Sequence, residues 1–434
     1  MTKLLPAVVD VLVVGAGIIG SSAALALSRA GHSVLVLERG GAVGHGSTSA
    51  SAGIVRVHAA DPQSCRLAAE STEVWSGWAD FLDAGPGEDL ATYTRCGSLI
   101  LDAGDQYVEA ITSSMRDARV SHEYWTTQDL VNRVPYLDVR RFGPPRSVQH
   151  EEFWREPTEY LKGAVYTADS GYVSDPALAA SNLLNAARRC SAKLQLGTEV
   201  VDLIISHGRV QGVVLVDGTR ISAGAVLVAA GPHSDQLLRR SGATRDFTVR
   251  TRRLREELHH VSAPHLLNVG RDAMHIVDGD LGINFRPESG NAFLVGGNGS
   301  PADEDTVVAD PDLYDERVSA KAWERNTLRL ARRIKNQGVP PRPSGVVGLY
   351  DVTDDWLPIY DRTCFDGLFI AMGTSGNQFK TAPIVGDLLR QIIESENHGL
   401  DHMTSALKSP ISGQEYRSAQ FSRLRTPNLG GTRG

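Results

Sequence analysis

The sequence is poor in three things, and each shortage closes a route. Its 434 residues hold only four cysteines, Cys65, Cys96, Cys190 and Cys364, far apart and without a CxxC pair. That excludes a disulfide framework and a thiolate zinc site, and it reads as reduced thiols in a cytoplasmic protein with no metal centre. Long hydrophobic runs are missing too. No apolar stretch approaches the roughly 18 residues of a membrane helix. Val8–Val14 has the composition of a short signal core, but it lacks a cationic lead and a small-residue cleavage site, and it runs straight into Gly15-Ala16-Gly17. Positive charge is in deficit, with 44 Lys and Arg against 51 Asp and Glu and a net charge of −7. Nucleic acid or an anionic membrane surface would require a basic face, so neither is an expected partner. What remains is an ordinary globular composition, 41% hydrophobic and 22% charged, long enough for two domains or one large α/β unit.

What is present is punctuated in a recognisable way. Val8–Val14 is a β-branched run of the kind buried on both faces of a sheet, Ile18–Ala30 is small and helical in pattern, and Val34–Leu37 is a second buried strand. Together they predict a βαβ unit. Cys65 to Leu82 places Leu67, Val74, Trp75, Trp78, Phe81 and Leu82 at helical spacing, and the two tryptophans read as core. Gly143-Pro144-Pro145 marks a passage between lobes. Ser174-Asp175-Pro176 is a helix start, with a capping residue and then proline in the first turn. Short strands follow at Leu194–Leu196, Glu199–Ile205 and Gly212–Val216, then a buried strand at Ala225–Ala230. Strand-like pattern from Phe247 to about Gly299 precedes an amphipathic helix over Ala320–Asn336. Gly367–Ala371 is a last buried strand before a glycine-rich loop and a helix from Phe379 to about Glu394. Residues 401–434 are polar and patternless, and are expected to form a loose tail.

Gly15-Ala16-Gly17-Ile18-Ile19-Gly20 is a GxGxxG lying between the first strand and the first helix. Gly15 allows the tight turn, Gly17 lets backbone approach a pyrophosphate, and Gly20 lets helix and strand pack closely. The free N–H groups and positive end of the helix then hold the pyrophosphate. Glu38 ends the second strand about 20 residues beyond the glycines, where an acid accepts from ribose hydroxyls and disfavours a 2′-phosphate. Arg39 follows it. Only one such fingerprint is present, which disfavours an enzyme with separate FAD and NAD sites.

Four segments in order then carry a resemblance: the fingerprint with Glu38, Gly46–Arg56, Thr198–Gly231 and Gly348–Lys380. The chain resembles the D-amino-acid oxidase superfamily of flavoproteins, in particular the glycine oxidase, sarcosine oxidase and dimethylglycine dehydrogenase branch. The resemblance spans most of residues 8–395. It implies an α/β fold: a Rossmann-like FAD-binding domain of glutathione-reductase type, interleaved with an α+β substrate domain on an antiparallel sheet. The expected division is 1–95, 155–245 and 345–400 for the FAD-binding domain, and 96–154 with 246–344 for the substrate domain. By the same resemblance Ser47, Thr48 and Ser49 bond FAD phosphates, and Ser51, Ala52, Gly53 and Ile54 lie against the isoalloxazine. Val200 meets the adenine, Ala230 and Gly231 end a strand beneath the ribose, and Gly373, Thr374, Ser375, Gly376 and Asn377 turn N–H groups toward the flavin's pyrimidine oxygen.

For the substrate, Arg56 and Lys380 match the family's two carboxylate-holding cations, and Tyr350 matches a tyrosine lining the same pocket. Arg supplies a fork suited to a carboxylate and Lys a point charge. His45, His58 and His275 read as structural histidines, because a neutral amine can lose its Cα hydride to flavin N5 unaided. Departures from the family also carry information. Gly348 stands where covalent sarcosine oxidases have cysteine, and Ala50 lies near the attachment histidine of dimethylglycine dehydrogenases, so FAD is expected to be held non-covalently. Leu294 falls where sarcosine oxidases place a lysine for oxygen. The resemblance implies an amino-acid or amine oxidase or dehydrogenase, oxidising the C–N bond of a small carboxylate-bearing amine to an imine, with oxygen or another acceptor. Alternatives are a 2-hydroxy-acid dehydrogenase and an FAD-bearing subunit of a heteromeric amine dehydrogenase.

Overall fold

The first strand, Val8–Val14, is the axis of the molecule. In the computed structural model, which describes residues 8–428 apart from 301 and 405, it lies between Val34–Leu37 and Arg220–Val228, parallel to both. Leu12, Val13 and Leu35 are almost wholly buried because helices or strands cover both sheet faces. Burial of such a side chain stabilises by roughly 1.5–3 kcal/mol. Lys193–Gln195 adds a parallel strand beyond Val34–Leu37, and Leu368–Met372 another beyond Arg220–Val228. An antiparallel run, Val200–Ser206 and Arg209–Leu215, extends one edge. Helices Ile18–Arg29, Pro176–Arg189 and Ala382–Asn397 pack on one face in a single apolar cluster. The helices at Ile18 and Ala382 cross closely, with Ser22 Oγ donating to the Ala382 carbonyl at 2.6 Å.

A second sheet runs in the spatial order 345–353, 251–262, 292–297, 283–288, 275–278, 98–102, 163–167 and 123–126. Most of its pairings are antiparallel; Ser98–Asp102 and His275–Asp278 are parallel. The helix Ala320–Arg333 closes one face over Trp323 and Leu330. Its Arg333 is fully buried and meets both Asp278 at 2.6 Å and Asp280 at 2.8 Å. Asp280 in turn accepts from the Phe142 and Gly143 amides, which fixes the expected passage at Gly143-Pro144-Pro145 to this sheet.

Several expectations are corrected. Strands Gly163–Thr167 and Gly345–Thr353 fall in segments assigned to the FAD-binding domain, yet both hydrogen-bond into the second sheet. Long-range ladders, invisible to local pattern, decide this. The helix expected over Cys65–Leu82 is two, Pro62–Ser76 and Trp78–Leu82, parted at Gly77. Trp75 and Trp78 are core, stacked with ring centroids 4.4 Å apart. The helix Gln106–Ala118 had no counterpart in the sequence reading. The last helix begins at Ala382 rather than Phe379. The described part of the tail is not loose: Leu407, Tyr416 and Phe421 are buried against the core of the first sheet, and Arg425 grips Asp355 with two bonds of 2.8 Å. Residues 429–434 lie outside the described residues.

Candidate active site

The glycine turn is built by close approach. Gly15 has φ +106°, and a Cβ there would stand 2.5 Å from the Ala229 carbonyl oxygen; one on Gly20 would stand 2.1 Å from that of Gly15. Only glycine satisfies both contacts. Gly17 is different, since a Cβ there meets nothing nearer than Thr48 Oγ1 at 3.3 Å. It therefore keeps a backbone face open at the first turn of the helix, where N–H groups have no partner within the helix. Ile18 N–H donates to Thr48 Oγ1 at 3.1 Å, and Ile19 is buried behind it.

Glu38 stands beside this turn, 8% exposed. One carboxylate oxygen accepts from Ala16 N–H at 2.8 Å and the other from Gly40 N–H at 2.7 Å. The acid therefore braces the glycine turn itself, and its remaining lone pairs can accept from ribose hydroxyls. Thr198 N–H donates to the Glu38 carbonyl, which brings the start of the Val200–Ser206 strand to the same place. Ala230 and Gly231 follow the strand Arg220–Val228 at its carboxyl end. Arg39 points away and pairs with Asp312 at 2.5 Å. In the next loop Ser47 Oγ donates to the Leu349 carbonyl at 2.6 Å, and Ser49 Oγ to that of Gly46 at 2.9 Å.

A cavity of about 110 Å³ is lined by Ser51, Ala52, Ile54, Arg56, Tyr350 and Ser375–Asn377 together with Lys380. These are sequence-predicted residues drawn from three distant segments. Gly53 is tucked behind them, where a Cβ would stand 2.5 Å from the Val173 carbonyl oxygen. Arg56 donates to the Asn377 side-chain oxygen at 3.1 Å, and Lys380 Nζ donates to the same oxygen. Arg56 also donates to the His58 carbonyl. Among the described residues neither cation has a carboxylate within 4.0 Å. Burial, opposed by Tyr107, Cys65 and Tyr350, lowers the Arg56 pKa; burial and then Arg56 itself push Lys380 well below 10.5.

Sequence reading missed four participants. Asp351 takes the amides of Gly373 at 2.6 Å and Thr374 at 3.2 Å on its carboxylate, and that of Ser375 on its carbonyl. Those three N–H groups therefore bond Asp351 within the protein. Burial raises the Asp351 pKa despite these bonds. Arg286 donates to the Ala52 carbonyl at 2.5 Å, fixing the Ser51–Ile54 loop to the second sheet. Asn284 and Glu256 line the cavity from that sheet. No local pattern marks any of the four. His275 also lines the cavity, bonded to Ser98, and burial followed by Arg56 and Arg286 pushes its pKa down to about 3. His58 is fully buried, and burial with Arg56, His275 and Lys380 holds it well below 6.5, so both rings are neutral.

Residues 10–392 match the family described as DAO, FAD dependent oxidoreductase. The chain belongs to this family. Its fold is also that of solved members at low identity. An L-proline dehydrogenase from P. horikoshii superposes with a TM-score of 0.75 at 20% identity, covering 97% of this chain and 98% of that one. A glycine oxidase from Geobacillus kaustophilus gives 0.70 at 24% identity, covering 93% and 99%. An L-amino acid deaminase from Proteus vulgaris gives 0.72 at 16%, covering 98% and 99%. No curated protein sequence matches the chain. The protein is an FAD-dependent oxidoreductase, and the open face at Gly17 beside Glu38 fits a dinucleotide. A Cβ on Gly348 would stand 2.6 Å from that of Ala50, and neither glycine nor alanine carries an attachment atom. Among the described residues no helix is long and apolar enough to cross a membrane.

Proposed function

We propose that the protein oxidises the C–N bond of a small amine bearing a carboxylate, an amino acid or N-substituted amino acid. The observation that carries this reading is the pair Arg56 and Lys380. They are 324 residues apart, buried, both bonded to Asn377, and among the described residues neither forms an ion pair with a carboxylate. Two desolvated cations are costly to hold together, and an anion between them removes most of that cost. A substrate carboxylate would receive the Arg56 fork and favour the charged form of Lys380. Bound FAD would accept the hydride from the carbon beside the amine. The chain's part is to orient that carbon: the carboxylate is gripped on one side, Tyr350 packs over Gly376, and the neutral rings of His58 and His275 add no competing positive charge. The names of the solved neighbours, glycine oxidase, L-proline dehydrogenase and L-amino acid deaminase, support an amino-acid substrate class. Domain assignment follows the two sheets, with FAD on the first and substrate bounded by the second.

Anaerobic bleaching of the flavin against amino acids, N-methyl amino acids and 2-hydroxy acids tests the reading. Bleaching by amino acids, with ammonia or methylamine among the products, supports it. Bleaching by hydroxy acids alone would replace it with a hydroxy-acid dehydrogenase.

A further inference from the structure

Alternation along the strand His275–Asp278 decides which of its side chains meets the cavity. Ile276 belongs to the apolar cluster on the helix side of the second sheet, with Phe285 and Val295. Successive side chains of a strand point to opposite faces. His275 and Val277 therefore stand on the other face, beside Asn284, which is paired with Val277. All three line the cavity that holds Arg56, Asn377 and Lys380. His275 is in register with Ser98 across the parallel ladder, and Ser98 Oγ lies 2.8 Å from His275 Nδ1. Ser98 is itself buried, so this bond fixes the plane of the ring.

The second ring nitrogen is open. His275 is 1% exposed, and among the described residues Nε2 has no hydrogen-bond partner. Two other buried histidines, His58 and His259, lack partners at both nitrogens, but neither lines this cavity. His275 alone combines a tethered nitrogen with one left for a ligand. Burial, then Arg56 and Arg286, keeps its ring neutral, and a neutral imidazole donates from one nitrogen and accepts at the other. Because both of those charged neighbours are cations, the favoured tautomer turns a lone pair to the cavity and gives the Nδ1 proton to Ser98 Oγ.

We propose that His275 Nε2 accepts a hydrogen bond from an N–H of the substrate's amine. This rests on the amino-acid reading above and adds the group that recognises the nitrogen. With the carboxylate on Arg56 and Lys380 and the amine on His275, the carbon between them is held at two points. The substrate class narrows to primary and secondary amines, because a neutral tertiary amine has no N–H to give.

The test measures anaerobic flavin reduction, on the FAD-loaded enzyme, by a panel of amino acids and N-methyl amino acids and by their tertiary N-methylated derivatives. Propionate, which has the carboxylate and no amine, is titrated in parallel against the flavin absorbance. The wild type should be reduced about tenfold faster or more by its best N–H amine than by the matching tertiary amine. His275→Gln puts an amide where Nε2 stood, and His275→Asn puts one where Nδ1 stood. Reduction by the best amine should fall about tenfold or more in His275→Leu and His275→Asn and stay within about threefold in His275→Gln. Propionate affinity should change by less than about threefold in all three. Wild-type rates in His275→Leu would overturn the proposal. Better retention by Asn than by Gln would reduce the ring to its Ser98 bond, and weakened propionate binding would move it to the carboxylate; either result overturns the amine contact. So would loss of flavin or of melting temperature in every variant, which would make the ring structural. Bleaching of the wild type by none of the amines would instead overturn the amino-acid reading, and this inference with it.

Discussion

At the scale of single residues, Glu38 does two jobs. One of its oxygens accepts from the Ala16 amide of the glycine turn and the other from the Gly40 amide, and the fingerprint's acid is also expected to accept from the ribose hydroxyls. Hydrogen bonds to a charged group are worth roughly 1.5–3 kcal/mol each. Glu38→Ala should therefore lose FAD on desalting and also melt earlier than wild type when both are stripped of flavin. Full flavin occupancy after gel filtration would refute the ribose role. Covalent attachment has no atom to use at Gly348 or Ala50, so acid precipitation should leave the yellow chromophore in the supernatant; colour in the washed pellet would contradict this. Arg56→Ala removes one arm of the proposed carboxylate clamp. Losing one partner of a desolvated ion pair costs ~2–5 kcal/mol, so kcat/KM should fall on the order of a hundredfold, mostly through KM. A decarboxylated analogue should be poor on the wild type and lose little more on the variant. Equal losses for acid and analogue would make Arg56 a structural residue.

Buried ions add to the apolar contacts that fix elements to one another. Arg333, on the helix Ala320–Arg333, reaches two aspartates that flank the turn after strand His275–Asp278. It also donates to the Asp138 and Arg140 carbonyls, so one guanidinium joins the helix, the sheet and the segment before Gly143. Arg333→Met leaves Asp278 and Asp280 buried without a counter-charge. Removing one partner from such a cluster costs about 3–5 kcal/mol, so the urea midpoint should drop accordingly. A loss below about 1 kcal/mol would show that water reaches the pair as soon as the arginine leaves. Arg286 does comparable work between the second sheet and the Ser51–Ile54 loop, through the Ala52 carbonyl.

Across the whole molecule, the C-terminal segment closes the structure back onto its beginning. His402 is buried between Asp361 at 2.8 Å and Glu396 at 2.7 Å. Burial works against the charged ring, but the hydrogen bonds to Asp361 and Glu396 outweigh it and hold its pKa above 6.5. A raised folded-state pKa means that the stabilisation is complete below the unfolded value near 6.5 and is lost as pH climbs through the raised value. The melting temperature should therefore fall from pH 6 toward pH 9 more steeply in the wild type than in His402→Gln. Parallel curves would show that His402 stays neutral throughout. The same segment supplies Phe421 and Asn428 to a small chamber that also borders Lys380, so its docking shapes the back of the site.

Local sequence determined the βαβ start, the glycine fingerprint with Glu38, the capped helix at Asp175, and the tryptophan core, because each depends on spacing within one or two elements. The small loops at Ser51–Ile54 and Gly373–Asn377 were legible only in combination, since a glycine-rich turn alone has many uses. What the tertiary structure decided is long-range. It drew Gly163–Thr167 and Gly345–Thr353 into the second sheet, packed the polar C-terminal stretch through Leu407, Tyr416 and Phe421, and turned the amides of Gly373 and Thr374 onto Asp351. It also set Glu256 opposite Gly348 and Leu254 opposite Tyr350, a one-residue choice made by ladder register. Composition and periodicity can state that a strand exists and that a side chain is acidic. Which neighbour the strand pairs with, and which face that acid then occupies, depends on hydrogen bonds between residues far apart in the chain.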